Sequence, residues 1–128
     1  MKVMLLLGEA AAAHPDGTVS ILRAGINRVS GPKLPVLLMG VLVVKIEGEA
    51  AESGDHTIKI RIIDSDGNDI APKLDGNFTV GHRGGSSNLI LNFRMSFPKY
   101  GRYEFSTIID KVVYGSLGID VVDPSKKN

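Results

Sequence analysis

The chain has no cysteine and no tryptophan, and aromatic residues make up only 5% of its 128 residues. Without cysteine there is no disulfide framework, no thiolate metal site and no cysteine nucleophile. Without tryptophan, stacking on sugar rings falls to the few tyrosines and phenylalanines. Phe78, Phe93, Phe97, Tyr103 and Phe105 occupy apparent core positions, which leaves Tyr100 and Tyr114 as free platforms. Carbohydrate recognition is not expected. An excess of charge is missing too: Lys and Arg number 15, Asp and Glu 14, for a net charge of +1. The basic residues are scattered, and Lys126-Lys127 is their one adjacent pair. A phosphate backbone calls for a concentrated basic patch, so no nucleic-acid partner is expected. No apolar run approaches the ~20 residues of a membrane-spanning helix, so no membrane partner is expected either.

What remains is an aliphatic composition, 43% hydrophobic, punctuated by 15 glycines and 6 prolines. That suits one domain of many short strands around a Val, Ile and Leu core, here residues 1–123, followed by a polar tail at 124–128. Met1-Lys2, Val3–Leu7 and Ala10–Ala13 look superficially like a secretory leader. The apolar run stops at Gly8-Glu9, short of the usual ~7–15 residues, so 2–12 reads as the first strand. His14-Pro15-Asp16-Gly17 is a turn signal, and Thr18–Val29 reads as a second strand bent at Gly25.

Strict alternation marks the later strands. Ile58, Ile60 and Ile62 face one way, Thr57, Lys59 and Arg61 the other. Leu89, Leu91, Phe93 and Met95 repeat the pattern, as do Tyr103, Phe105, Thr107 and Ile109, with Asp110-Lys111 as a two-residue turn into Leu117, Ile119 and Val121. Period two is what a half-buried antiparallel strand needs. Val36–Ile46 breaks the rule. It is apolar almost throughout, which predicts cover on both faces, by a loop of the same chain or by a second subunit. Leu42 and Val43 are the outward residues nominated for such an interface. Short strands between turns predict an all-β antiparallel sandwich of eight or nine strands.

Candidate chemistry is thin. Asp64-Ser65-Asp66-Gly67-Asn68-Asp69 groups hard oxygen ligands as Ca²⁺ prefers, but strands flank it and the twelfth position is Asp75 rather than glutamate. A hairpin turn accounts for the same residues. Gly81–Ser87 has the glycines of a phosphate loop without the helix or the Lys-Ser/Thr pair, and reads as a mobile loop. His14, His56 and His82 fall at strand ends or loops, with no zinc spacing among them, and are expected to be exposed. No catalytic residue, cofactor or metal set is nominated.

Pro98-Lys99-Tyr100-Gly101-Arg102-Tyr103-Glu104-Phe105 resembles the corner into the penultimate strand of immunoglobulin-like sandwiches, where a tyrosine bonds back across the corner. The whole chain also resembles a family of bacterial proteins of unknown function. The resemblance is carried by Leu5–Ala12, Pro15-Asp16-Gly17, Ile21–Gly25, Arg61–Gly67, Asn88–Asn92 and Phe97–Phe105. It implies an immunoglobulin-like β-sandwich, in the cytoplasm, with no catalytic residues to carry over. The function expected is a non-catalytic protein-interaction or self-associating module. The rival is a sandwich that binds a small ligand or Ca²⁺ through Asp64–Asp69 and Gly81–Ser87.

Overall fold

Three isoleucines at alternate positions need an apolar layer opposite them, and the chain supplies it by folding two sheets face to face. The computed structural model describes residues 1–125. Its strands are β1 (Lys2–Gly8), β2 (Ala10–Ala13), β3 (Val19–Leu22), β4 (Arg28–Ser30), β5 (Val36–Gly48), β6 (Gly54–Asp64), β7 (Asp69–Val80), β8 (Gly85–Phe97), β9 (Gly101–Ile109) and β10 (Val112–Val122), with one 3₁₀ turn at Ala50–Glu52. One sheet runs β1-β5-β8 and the other β4-β10-β9-β6-β7, while β2 and β3 form a separate hairpin. All pairs are antiparallel except β4 with β10.

A single core cluster joins both sheets. Leu5, Leu7, Leu42, Val44, Ile46, Phe93 and Phe97 from one meet Ile58, Ile60, Ile62, Phe78, Tyr103, Phe105 and Ile119 from the other. Burying each such side chain contributes roughly 1.5–3 kcal/mol. Thr107 is the exception in this layer, a fully buried hydroxyl with no hydrogen-bond partner among the described residues.

The corner before β9 closes as its sequence predicts. The Tyr103 hydroxyl donates to the Lys99 carbonyl oxygen at 2.8 Å and accepts the Lys99 N–H at 3.2 Å. The Tyr103 ring is buried against Phe97, with ring centroids 4.8 Å apart. This tyrosine corner on an antiparallel sandwich makes the fold immunoglobulin-like. Tyr103→Phe should keep the ring packing but orphan both backbone groups of Lys99, at a cost of about 2 kcal/mol. Urea denaturation read by circular dichroism checks this, and an unchanged midpoint would remove the corner from the stability of the fold.

Three expected boundaries are corrected. Residues 2–12 are two strands, because the chain bends at Glu9 and crosses to the hairpin. Gly8 permits that turn, since a Cβ there would lie 2.8 Å from Ile21 Cγ2. Thr18–Val29 likewise splits into β3 and β4 around Arg23 and Gly25, both with positive φ. Turn residues at Asp64–Asp69 and at Asp75-Gly76 predict two short strands, one near Ile70 and one carrying Phe78 and Val80, but these merge into one strand, β7, whose register with β6 shifts between Ile60 and Ile62. Pro72 falls in β7 opposite that irregularity, where a missing N–H costs little. Of the polar tail, residues 126–128 lie outside the described residues.

Candidate functional site

The doubly apolar strand is covered on both faces, but only along part of its length. Val41, Leu42, Val43 and Val44 are all buried. Leu42 and Val44 belong to the core between the sheets, whereas Val41 and Val43 point the other way, toward the β2–β3 hairpin that packs on β5 and β8. Alternation holds in this small cover too: Ala11, Val19 and Ile21 are half-buried, while Ala10, Ala12, Ser20 and Leu22 are exposed. The outward face expected at Leu42 and Val43 is therefore corrected. Leu42 is core, and Val43 lies under the chain's own hairpin.

The hairpin does not reach the start of β5. Leu37 is 64% exposed and Met39 69%, side by side on the same outer face. Ser96 and Arg94 of β8 stand opposite them in register. Lys33 and Leu34, just before the strand, are also exposed. Neither Arg94 nor Lys33 forms an ion pair among the described residues. This exposed apolar pair is the part of the outer β5 face that the chain itself leaves uncovered. Sequence alone missed it because period two gives the face of a residue, not how far along the strand its cover extends.

The Asp64–Asp69 turn is closed by its own groups. Asp64 Oδ1 accepts the N–H of Asp66 and of Asn68, both at 2.9 Å, and Oδ2 accepts from the Asn68 side chain at 3.4 Å. Those backbone bonds hold the Asp64 carboxyl below the usual aspartate range. The Lys99 ammonium then sits 3.5 Å from Asp64 and 2.6 Å from Asp66, and its own pKa is raised by the bond to Asp66. A lysine thus stands where a bound cation would. Asp69 turns away to pair with Arg61 at 2.8 Å. Among the described residues no three His, Cys, Asp or Glu side chains gather as a metal set.

The Gly81–Ser87 loop is shorter than expected, because Gly85 to Ser87 already pair with Ile46 to Gly48. It also lies at the far end of the twelve-residue strand β7 from the Asp64–Asp69 turn, so the two do not form one site. A wide trough of about 870 Å³ follows the β6–β7 ribbon between these ends. Lys59, Arg61 and Lys73 along it are interleaved with Asp69 and Asp75, so neither sign of charge dominates. The tyrosines set aside as platforms are engaged: the Tyr100 hydroxyl donates to the Gly31 carbonyl at 2.8 Å, and Tyr114 packs against the core.

The three histidines stay apart, and His56 is not the exposed residue its position suggested. It is half-buried in β6, stacked on Phe78 at 5.2 Å. Nδ1 bonds to Asp110 Oδ2 at 2.5 Å and Nε2 to the Glu52 backbone oxygen at 2.6 Å. Both partners only accept, so both bonds form together only in the imidazolium. The Asp110 bond first, then the Glu52 carbonyl, raise the His56 pKa against the opposing effect of burial. A group raised on folding stabilises fully below its unfolded pKa, and the benefit is lost as pH rises through the folded value. The His56 ring protons should titrate above about 6.5 by NMR. The urea midpoint should fall across that step in the wild type but much less in Asp110→Asn. A midpoint at or below the free-histidine value would show that the clamp is not charged.

The fold and its closed turns define an immunoglobulin-like sandwich with an exposed apolar pair at the start of β5. The chain belongs to DUF6941, a family of unknown function whose model matches residues 3–122. Among solved structures, the CARDB domain of a Pyrococcus furiosus protein, determined in complex with di-metal ions, is similar at 12% identity. The match covers 94% of this chain and 94% of that one, with a TM-score of 0.44. No curated protein matches the chain. No helix among the described residues is long and apolar enough to cross a membrane.

Proposed function

We propose that the protein is a non-catalytic interaction module that binds another protein through the outer face of β5 at Leu37 and Met39. The observation that carries this reading is their adjacent exposure, 64% and 69%, on a strand whose remaining apolar outer residues are covered by the chain itself. Scattered exposed apolar residues are ordinary, whereas two neighbours on one sheet face beside unpaired cations support a contact surface there. The bacterial cytoplasm is the setting supported by the sequence resemblance. The acidic turn gives less support to the rival reading, since its carboxylates already have internal partners.

The test is a photoreactive residue at position 39, crosslinked in living cells. A defined heterologous adduct that Leu37→Lys abolishes, and Lys59→Glu does not, supports the reading. An adduct to a second copy alone would make the module self-associating. The absence of any adduct, with the fold intact, would reject the face.

A further inference from the structure

Resting on the interaction reading, we infer that the partner supplies an extended, acidic and apolar segment that adds as a strand to the open side of β5 at Val36–Met39. The backbone carries this inference independently of the side chains. β1 pairs with β5 only as far as Gly8 opposite Val41, so Val36 to Gly40 pair with β8 alone. The direction of the free groups follows from β1. The Leu7 carbonyl accepts the N–H of Gly25 and of Ile26, and so points away from β5. Backbone groups alternate along a strand, so Leu6 and Gly8 point toward β5, and their partners Val43 and Val41 point back. Two and four residues before Val41, Met39 and Leu37 aim their N–H and C=O the same way, into the space β1 has left. No strand meets them there among the described residues. These are four backbone groups without a partner in the chain among the described residues, on two well-exposed residues.

Open strand edges are usually blunted by proline or lysine. The long edge strand β7 carries Pro72 and Lys73, whereas Val36-Leu37-Leu38-Met39 has neither. An added strand would bond these four groups and set alternate side chains beside Leu37 and Met39. Charge selects the occupant. Lys33 precedes the strand, and Arg94, on β8 opposite Met39, shares its face and can reach an added strand across the Met39 side chain; both are unpaired among the described residues. The nearby Arg23 and Glu9 already neutralise each other at 3.6 Å. Val36-Leu37-Leu38-Met39 of a second copy carries no carboxylate to meet Lys33 or Arg94, so the occupant favoured is a different chain bearing carboxylates.

The test uses two short synthetic peptides, one alternating valine and glutamate, the other valine and lysine, with backbone amides followed by NMR and hydrogen exchange. The glutamate peptide should slow exchange at Leu37 and Met39 and bind about tenfold tighter than the lysine peptide. Arg94→Glu, at an exposed position that leaves the fold intact, should reverse that order. Protection of these amides by neither peptide would overturn the proposal, as would equal binding of both peptides to wild type and Arg94→Glu. Protection that appears on concentrating the protein alone would overturn it in favour of a second copy. A heterologous adduct at position 39 without peptide protection keeps the interaction face and rejects strand addition; loss of the adduct rejects both.

Discussion

Leu42→Lys should prevent folding, whereas Met39→Lys, three residues earlier in the same strand, should leave the melting temperature nearly unchanged. Leu42 is 0% exposed and lies in the core between the two sheets. The buried carboxylate among the described residues, Asp64, is already engaged by the Asp66 and Asn68 N–H groups and by Lys99. Burying an unpaired charge there, with loss of the leucine packing, costs well over about 4 kcal/mol. A domain of this size has only about 5–15 kcal/mol in total. Met39 faces solvent, so its lysine stays hydrated. Circular dichroism and urea titration of the two variants read the difference directly. A folded Leu42→Lys protein would mean that the register of β5 is wrong by one residue, since such a slip exchanges the two faces.

Gly84→Ala should be the next most damaging change, although it adds one methyl group to a surface loop. Gly84 has φ +79°, where an L-residue costs roughly 1–2 kcal/mol. Its added Cβ would also lie 2.7 Å from the Gly48 carbonyl oxygen and 3.1 Å from the Ala50 nitrogen. Both are backbone atoms, which cannot swing aside as a side chain would. Together the two effects should cost about 3 kcal/mol and lower the melting temperature by roughly 10 °C. Gly17→Ala is the matched control, because Gly17 has φ +86° with nothing within 4 Å of the added atom. It should show only the conformational part. Equal losses in the two variants would show that the close approach to Gly48 carries no cost.

The contrast between these glycines shows where the sequence was legible. Alternation identified the inward faces of β6, β8 and β9, because each of those strands has one apolar side. Asp110-Lys111 read as a two-residue turn, and both residues have the positive φ that such a turn requires, 50° and 70°. Tyr103 two positions before Phe105 placed the corner correctly. What could not be read depends on atoms distant in sequence. Gly81–Ser87 looked like a mobile loop because its packing partner, the Gly48–Ala50 backbone, is a separate segment. Asp64–Asp69 read as a hairpin turn, with a cation site as the rival, and what its sequence could not show is Lys99, the internal counter-ion that arrives from the tyrosine corner. The candidate surface was half legible: the apolar excess of Val36–Ile46 signalled a second cover, but the extent of the β2–β3 hairpin over it did not.

The pairing order of the sheets also bears on how the protein is made. β5 is the middle strand of its sheet, and its long partner β8 does not begin until Gly85. During synthesis the most apolar segment of the chain therefore leaves the ribosome well before the strand that shields it. In that interval β1 can pair with it from Lys2 to Gly8, but the Val36–Met39 end has no partner on either side. The nascent chain should accordingly depend on a holding chaperone until Phe97 has emerged, and slow translation between β5 and β8 should lower the yield of native protein.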